Sequence, residues 1–345
     1  MSKKLPKVLF VATSRKTMGG ITSVLKRYEK MEVWGKYRCA WLETQINKGI
    51  ALKLWYMIKA YFTMLFIVPC YDIIHFHTVP GNSLIVQMPV FLYSKLWGKK
   101  AIVHLHVGNQ LYEYKDNRVM NFVLRKATKV VVLANVINSY LKELYGIDGA
   151  VIYNPINQQP KRNIAKTDKF VFFAAYLIKE KGYTTLLDAF AKIADKHPEW
   201  NVVIAGTGEL EDAQRLCKEN GITDKVTIHS WLNRDQMNKM YEKAGIFCIA
   251  SYKEGFPMSF LEAASYGVPV VSTPVGGLVD VLEEGKNSMI FDFGNVEQLA
   301  AKLDHLMSDD RLRETISLNL QELVETTFSE EAVSKQLEEL YESLK

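Results

Sequence analysis

The stretch EGFPMSFLE, residues 254–262, sets Glu254 and Glu262 eight positions apart around Pro257 and an apolar run. Proline suits the first turn of a helix and glycine its stop, so the spacing predicts a helix from Pro257 to Tyr266, ended by Gly267. Glu254 then lies on the loop ahead of the helix, and Glu262 lies about two turns on, inside it. Carboxylates in such different settings do different work, unlike a paired general acid and base. A carboxylate accepts two hydrogen bonds from adjacent hydroxyls, which is how the acidic residue of dinucleotide sites grips a ribose. Two separated carboxylates suit two polyols, a ribose and a sugar. Between them, the free amides of the helix start favour a phosphate. A second anion-friendly turn, STPVGGLVD (272–280), follows at once. The plain alternative is one exposed glutamate and one helix-cap partner.

Three further segments carry residues fit for chemistry. In TSRKTMGGITSVL, Gly19 and Gly20 precede an amphipathic run, where backbone can approach an anion closely, with Arg15 and Lys16 adding positive charge nearby. An ordinary tight strand-to-helix turn is the alternative. IAGTGELED offers Gly206 and Gly208, but the third glycine of a dinucleotide fingerprint would stand at Glu211. That argues against a Rossmann oxidoreductase and leaves a base or phosphate near Gly206 and Gly208. Two HxH pairs, His75/His77 and His104/His106, close successive strands, and residues i and i+2 of a strand share a face. No carboxylate follows at ligand spacing, so no metal is expected there. One or two of these histidines are expected to hydrogen-bond a polar substrate, the others to satisfy local backbone.

These residues must be positioned by the surrounding elements. Short apolar runs rich in Val and Ile recur at 7–13, 71–77, 101–107, 129–134 and 150–155, then at 169–176, 201–206, 225–230, 245–251 and 268–273. Each is followed by a helix-length segment. Continuous rather than alternating apolarity marks strands buried on both faces, as in a parallel sheet covered by helices. The alternation predicts two α/β units of doubly wound type, joined near the polar, proline-bearing 153–168. Ligands of such sheets bind outside the carboxyl ends of the strands, where the segments above fall.

The chain of 345 residues, 48% hydrophobic and 23% charged, fits two globular domains. Its four cysteines (Cys39, Cys70, Cys217, Cys248) form no CxxC pair, which argues against structural zinc or a disulfide framework and for a reducing cytoplasm. MSKKLPKVLFVATS passes from basic residues into a short strand and does not resemble a signal peptide. The formal charge of +5 is uneven: residues 1–160 hold 22 Lys/Arg against 8 Asp/Glu, and residues 161–345 hold 21 against 30. The first half therefore points to an anionic partner or, more plainly, to a solvated basic face. Its basic residues are not interleaved with aromatics on a recognisable module, so nucleic acid is not expected.

One segment breaks the pattern. ALKLWYMIKAYFTMLFIVP (51–69) is apolar almost throughout, with Lys53 and Lys59 its only charges. It is shorter than a transmembrane helix usually requires. It reads either as a core helix or as an interfacial helix or hairpin on a membrane, with Lys48, Lys53 and Lys59 reaching the headgroups and Trp55, Tyr56 and Tyr61 at the boundary.

Taken together, the two α/β halves, the MGG after the first strand and EGFPMSFLEAASYGVPVVSTPVGG resemble the retaining glycosyltransferases of family 4, with E-x7-E met by Glu254 and Glu262. IAGTGELE, VTIHSWLNRDQMNKMYEKAGIFCIAS and YDIIHFH extend the resemblance over nearly the whole chain. It implies a GT-B fold: two Rossmann-like doubly wound domains facing each other across a cleft, residues 1–158 for the acceptor and 166–325 for the donor, with a helix in 326–345 crossing back to the first. It also implies transfer from a nucleotide sugar, UDP- or GDP-linked, to a lipid-linked or membrane-proximal glycan acceptor. No cofactor or metal is implied. The protein would be cytoplasmic and peripheral on the inner face of the cell membrane, in contact with anionic lipid through its basic first domain. By the same resemblance, Glu262 would bind the ribose, and Glu254 with the amides of Gly255, Phe256, Pro257 and Met258 the donor sugar, proline contributing backbone only. Lys181 would neutralise the leaving diphosphate, Gly20 would offer it an amide, and His106 would stand near the transferred sugar, with His77, Arg15 and Lys16 on the acceptor side.

The chain departs from the family pattern in two places. An arginine usually stands six residues before the lysine; here AAYLIKEKG has Tyr176 five before Lys181, and 163–214 contains no arginine. Lys179 and Arg15 are the cations that could compensate. Asn154-Pro155 also replaces the usual Asn-Gly. Two alternatives follow from the missing arginine and the shared fold: a non-catalytic nucleotide- or glycan-binding subunit, and a nucleotide-sugar epimerase.

Overall fold

The computed structural model describes residues 5–344. The chain divides into two compact units, one of Met1–Pro155 with Phe328–Lys345, the other of Ile156–Thr327.

The first unit is built on β1 (Val8–Ala12), β2 (Ala40–Glu43), β3 (Ile73–Thr78), β4 (Lys100–Leu105), β5 (Lys129–Val132) and β6 (Ala150–Val151). Its helices are α1 (Gly20–Tyr28), α2 (Glu32–Lys36), α3 (Ile50–Ile67), α4 (Asn82–Leu96), α5 (Arg118–Lys126), α6 (Asn135–Tyr145) and, from the end of the chain, α13 (Glu330–Glu342). The sheet is parallel, in the order β2-β1-β3-β4-β5-β6. Every residue of β1 and β3 is buried, as continuous apolar strands between helices require. The C-terminal α13 packs on this unit: Lys36 pairs with Glu338 at 2.7 Å, and buried Tyr341 meets Tyr37 edge-on.

The second unit is built on β7 (Phe170–Ala174), β8 (Asn201–Ala205), β9 (Val226–His229), β10 (Ile246–Ile249), β11 (Val270–Ser272) and β12 (Met289–Ile290), with α7 (Tyr183–Ile193), α8 (Leu210–Glu219), α9 (Arg234–Lys243), α10 (Met258–Ser265), α11 (Val296–Ser308) and α12 (Asp310–Leu323). Its order is β12-β11-β10-β7-β8-β9, again parallel. The chain runs outward from β7 through β8 to β9, then returns to the other side of β7 as β10. The loops leaving β7 and β10 diverge at that point and open a crevice at the strands' carboxyl ends. The core there is aromatic: Phe172, Tyr241 and Phe247 pack with ring centroids 5.2 to 5.7 Å apart.

Ten of the twelve strands coincide with the apolar runs of the sequence. The other two, AWLE at β2 and MI at β12, are edge strands, short and only partly buried, so neither leaves a run of apolar residues.

The core reading of 51–69 is corrected. Of α3, Ala60 alone is fully buried, while Trp55, Ile58, Phe62 and Phe66 are exposed.

Candidate active site

Glu254 stands on a loop and Glu262 inside a helix, as a helix start at Pro257 requires. α10 begins at Met258 with Pro257 as its N-cap residue, and Gly267 follows its end with φ at 64°. Among the described residues no side chain caps the start of α10. Glu254 sits on the loop leaving β10, and its Oε1 accepts a hydrogen bond from Lys181 Nζ at 2.6 Å and another from Ser251 Oγ at 3.1 Å. Lys181 comes from the loop leaving β7, so the ion pair closes over the point where those two strands' loops part. Gly182 makes this approach possible. Its φ is 75°, and a Cβ there would run into the carbonyl of Ala250, so any other residue would push Lys181 away from Glu254.

The loop of Glu254 is held by its neighbours. Thr273 Oγ1 donates to the Ser251 carbonyl at 2.8 Å, Tyr252 N to the Glu180 carbonyl at 2.7 Å, and Gly277 N to the Gly255 carbonyl at 2.7 Å. Gly276, with φ at 54°, lies so close to the carbonyls of Glu254 and Gly255 that a side chain would displace them. The two glycine turns of the sequence are thus one structure, in which 272–280 carries the loop 251–257. Phe256 is buried at its base.

Glu262 lines a pocket of about 370 Å³ with Tyr176, Gly206, Trp231, Leu232 and Ser259. Trp231 is 62% exposed and Tyr176 59% exposed, two aromatic walls with water in front of them. Trp231 follows the end of β9 and faces outward, which the apolar character of HSWLN does not reveal. Burial, with the Glu262 carboxylate beside it, pushes the Tyr241 phenol well above its ordinary range. Gly206 lines the pocket; Gly208 does not. Gly208, with φ at 124°, is pressed against the Leu177 carbonyl, and Leu177 N donates to the Thr207 carbonyl at 2.7 Å. Both glycines serve a close crossing of the loops after β7 and β8, where an added Cβ on Gly206 would strike the Ala175 carbonyl.

In the first unit the HxH pairs build an imidazole cluster. His75 and His77 of β3 and His104 and His106 at the end of β4 lie on one sheet face, with His77 opposite His104 in register and neighbouring ring centroids 4.6 to 5.5 Å apart. His77 Nδ1 and His106 Nε2 share a hydrogen bond at 2.8 Å, and His75 Nδ1 meets the Tyr341 hydroxyl at 2.9 Å. Burial holds His75 and His106 down at about 3, and burial with neighbouring imidazoles holds His77 and His104 well below the usual range. The cluster is therefore neutral. Nitrogens of His75, His77 and His104 lie within 4.8 Å of one another, near enough for a shared ion. Yet the His75 and His104 rings stack within 15° of parallel, which sets in-plane lone pairs side by side rather than converging as tetrahedral ligation needs.

The cations considered for the missing arginine are engaged otherwise. Arg15 donates to Glu29 at 2.6 Å and Glu43 at 3.3 Å and stacks over Trp41 at 4.4 Å. Lys16 is exposed. Gly20 opens α1 and Gly19, with φ at 150°, is its N-cap residue. In the second unit Lys179 lies near Asp212 and holds its carboxyl down, after Arg215 and Tyr183. Arg162, just outside the arginine-free stretch, donates to the carbonyls of Tyr241, Ala244 and Tyr266, and Ala244 precedes β10, at the end of the sheet opposite Glu254.

Sequence reasoning did not find Ser251, Thr273 or Gly182. Gly182 had a signal, a glycine closing IKEKG immediately before a helix; Ser251 and Thr273 owe their places to contacts between β10 and β11 that no spacing encodes.

Two parallel six-stranded doubly wound sheets with flanking helices are the architecture of the GT-B glycosyltransferases. Residues 156–322 match the family described as glycosyl transferases group 1, a match consistent with a family-4-like glycosyltransferase. An uncharacterized glycosyltransferase of Haemophilus influenzae is 28% identical over 66% of this chain and 67% of its own length. The capsular polysaccharide biosynthesis glycosyltransferase CapM of Staphylococcus aureus is 27% identical over 50% of this chain and 46% of its own. Among solved structures, Anabaena HepE in complex with UDP and glucose has the same fold, with a TM-score of 0.78 over 98% of this chain and 100% of its own at 18% identity.

Proposed function

We propose that this glycosyltransferase is a retaining, metal-independent hexosyltransferase acting in cell-surface polysaccharide biosynthesis. It takes a UDP- or GDP-sugar as donor and a lipid-linked or other membrane-proximal glycan as acceptor, at the cytoplasmic face of the cell membrane. The observation that carries this reading is the meeting of Lys181 and Glu254 at the strand-order reversal, beside the uncapped start of α10 and the pocket of Glu262. CapM, named for capsular polysaccharide biosynthesis, and HepE, bound to UDP and glucose, support the substrate classes.

In the reaction the bond from the anomeric carbon to the diphosphate oxygen breaks, and the acceptor oxygen forms a new bond to the same face of that carbon. The acceptor's hydroxyl proton passes to the departing phosphate oxygen. Negative charge grows on the diphosphate and positive charge on the sugar. Lys181 and the α10 amides stabilise the first, and the Gly20 amide adds to them. Glu254, with the backbone of Gly255 to Met258, holds the sugar hydroxyls. Glu262 accepts from the ribose, and Trp231 and Tyr176 flank the base. His106 is neutral at working pH, so it offers a hydrogen bond to the transferred sugar without adding charge.

Nucleotide release from a panel of nucleotide sugars, corrected for hydrolysis and run with and without a polyprenyl-diphosphate sugar, tests this. Acceptor-dependent release with one donor is expected; no such release with any donor overturns it. The missing arginine favours a second reading, a non-catalytic subunit that binds nucleotide or glycan. That reading requires Lys181→Ala to leave cellular glycan output unchanged. Acceptor-independent conversion of the donor sugar would instead mark an epimerase.

A further inference from the structure

In water a helix packed on a protein turns its apolar stripe inward. α3 is apolar on its inner side and leaves a second apolar side facing out. The side that meets its own unit carries Tyr56, Met57, Ala60, Tyr61, Met64 and Ile67, with Lys53 and Thr63, all buried or half-buried. The side facing solvent carries Trp55, Ile58, Phe62 and Phe66, each at least 60% exposed, with Lys59 as its charge. α4 continues this surface. Tyr61 of α3 donates to the Val86 carbonyl at 2.9 Å and Tyr93 of α4 to the Leu65 carbonyl at 3.1 Å, which laces the two helices side by side. Leu92 and Leu96 of α4 are exposed next to that seam. Contiguous exposed apolar surface of this kind marks a contact site.

We infer that the outer face of α3 and α4 beds into the headgroup–acyl boundary of an anionic bilayer, holding the first unit on the membrane by apolar insertion rather than by charge alone. This deepens the membrane-proximal acceptor proposed above and rests on it for its purpose, though not for its observations. The helical segment Ile50–Cys70 extends past the apolar run 51–69 at both ends, and this corrects the reading that it is too short: by length and composition it could cross a bilayer. Its lacing to α4 and the bond from Lys99 Nζ to the Pro69 carbonyl at 2.8 Å hold it along the unit instead. Charge identifies the occupant as lipid. Residues 44–112 contain six lysines and a single acidic residue, Asp72, whose carboxylate is taken by the Lys7 amide at 2.8 Å. Such a lysine-fringed apolar face with tryptophans at positions 55 and 97 suits anionic headgroups. A second copy of the same face would set lysines against lysines.

The test is flotation of the full chain with phosphatidylglycerol/phosphatidylcholine vesicles at low and high salt, without nucleotide sugar. The wild type is expected to float, and to remain bound in large part at high salt. Phe62→Ser/Phe66→Ser, on exposed positions that leave the fold intact, is expected to partition about tenfold or more weakly, and Trp55→Ser less strongly in the same direction. Equal binding by the double variant overturns the inference, as does complete release of the wild type by salt. A wild type that ignores vesicles but sediments as a dimer, made monomeric by the double variant, assigns the face to a second copy and overturns it too. Vesicle binding without acceptor-dependent turnover defeats the transferase reading alone; turnover of a water-soluble acceptor analogue without vesicle binding defeats the docking alone.

Discussion

Lys181 Nζ and Glu254 Oε1 stand 2.6 Å apart, with the lysine side chain 23% and the glutamate side chain 20% exposed. Each neutralises the other; under the proposed roles a ligand offers phosphate oxygens to the lysine and hydroxyls to the glutamate. Glu254→Gln and Lys181→Ala are each expected to lower turnover by about 10²–10³, the scale of losing one preorganised charge-stabilising group. Each should cost only about 1 kcal/mol of stability. The double variant should lose less than the product of the two, since the partners share one interaction. Steady-state nucleotide release and denaturant melts check this; wild-type rates in either single variant defeat both assignments.

Trp231 and Glu262 face one pocket from a strand-end loop and a helix. Base stacking on an aromatic side chain contributes about 1–3 kcal/mol. Trp231→Ala is therefore expected to weaken binding of UDP or GDP about tenfold or more, and Glu262→Gln to do the same through the ribose. Titration calorimetry with the free nucleotide, which needs no acceptor, reads both. Unchanged affinity in Trp231→Ala would place the base elsewhere.

The imidazole cluster makes the first unit sensitive to acid. The folded chain holds His75 and His106 down at about 3, whereas an unfolded histidine takes its proton near the ordinary value of 6.5. A depressed histidine contributes stability that is full above that ordinary value and drains as pH falls towards the folded one. The loss in that window is about 1.4 kcal/mol per pH unit for each histidine. Unfolding free energy followed from neutral to mildly acidic pH should show this slope, reduced by one proton in His75→Phe. The pH profile of turnover should lack a rising limb from His106.

Gly182→Ala tests the crossing that brings Lys181 to Glu254. With φ at 75° and the Ala250 carbonyl in the way, the substitution should cost about 1–3 kcal/mol and reduce turnover along with it. A thermal shift without loss of rate would mean that the pair tolerates displacement.

The sheets and the paired glutamates were legible because their signals are local. Buried parallel strands leave unbroken apolar runs, and Pro257 and Gly267 bracket α10 within the span that holds Glu262. What depends on strand order was not legible. Lys181 and Glu254 lie 73 positions apart, and only the return of β10 to the far side of β7 brings them together. Nor does apolarity say which way a side chain faces. The run 51–69 fits a core helix as well as an interfacial one, and most of α3 is exposed.

Glu254 rides on a loop steadied by a handful of hydrogen bonds, while Glu262 projects from a helix whose Phe260, Leu261, Ala263 and Ala264 are locked in the core. Under the proposed roles, the grip on the nucleotide is built into the scaffold and the grip on the sugar is not. Substitutions between Ser251 and Pro257 can retune which sugar is carried while the energy carrier stays the same. A lineage of such enzymes can therefore diversify its glycans one short loop at a time, leaving its supply of activated nucleotide untouched.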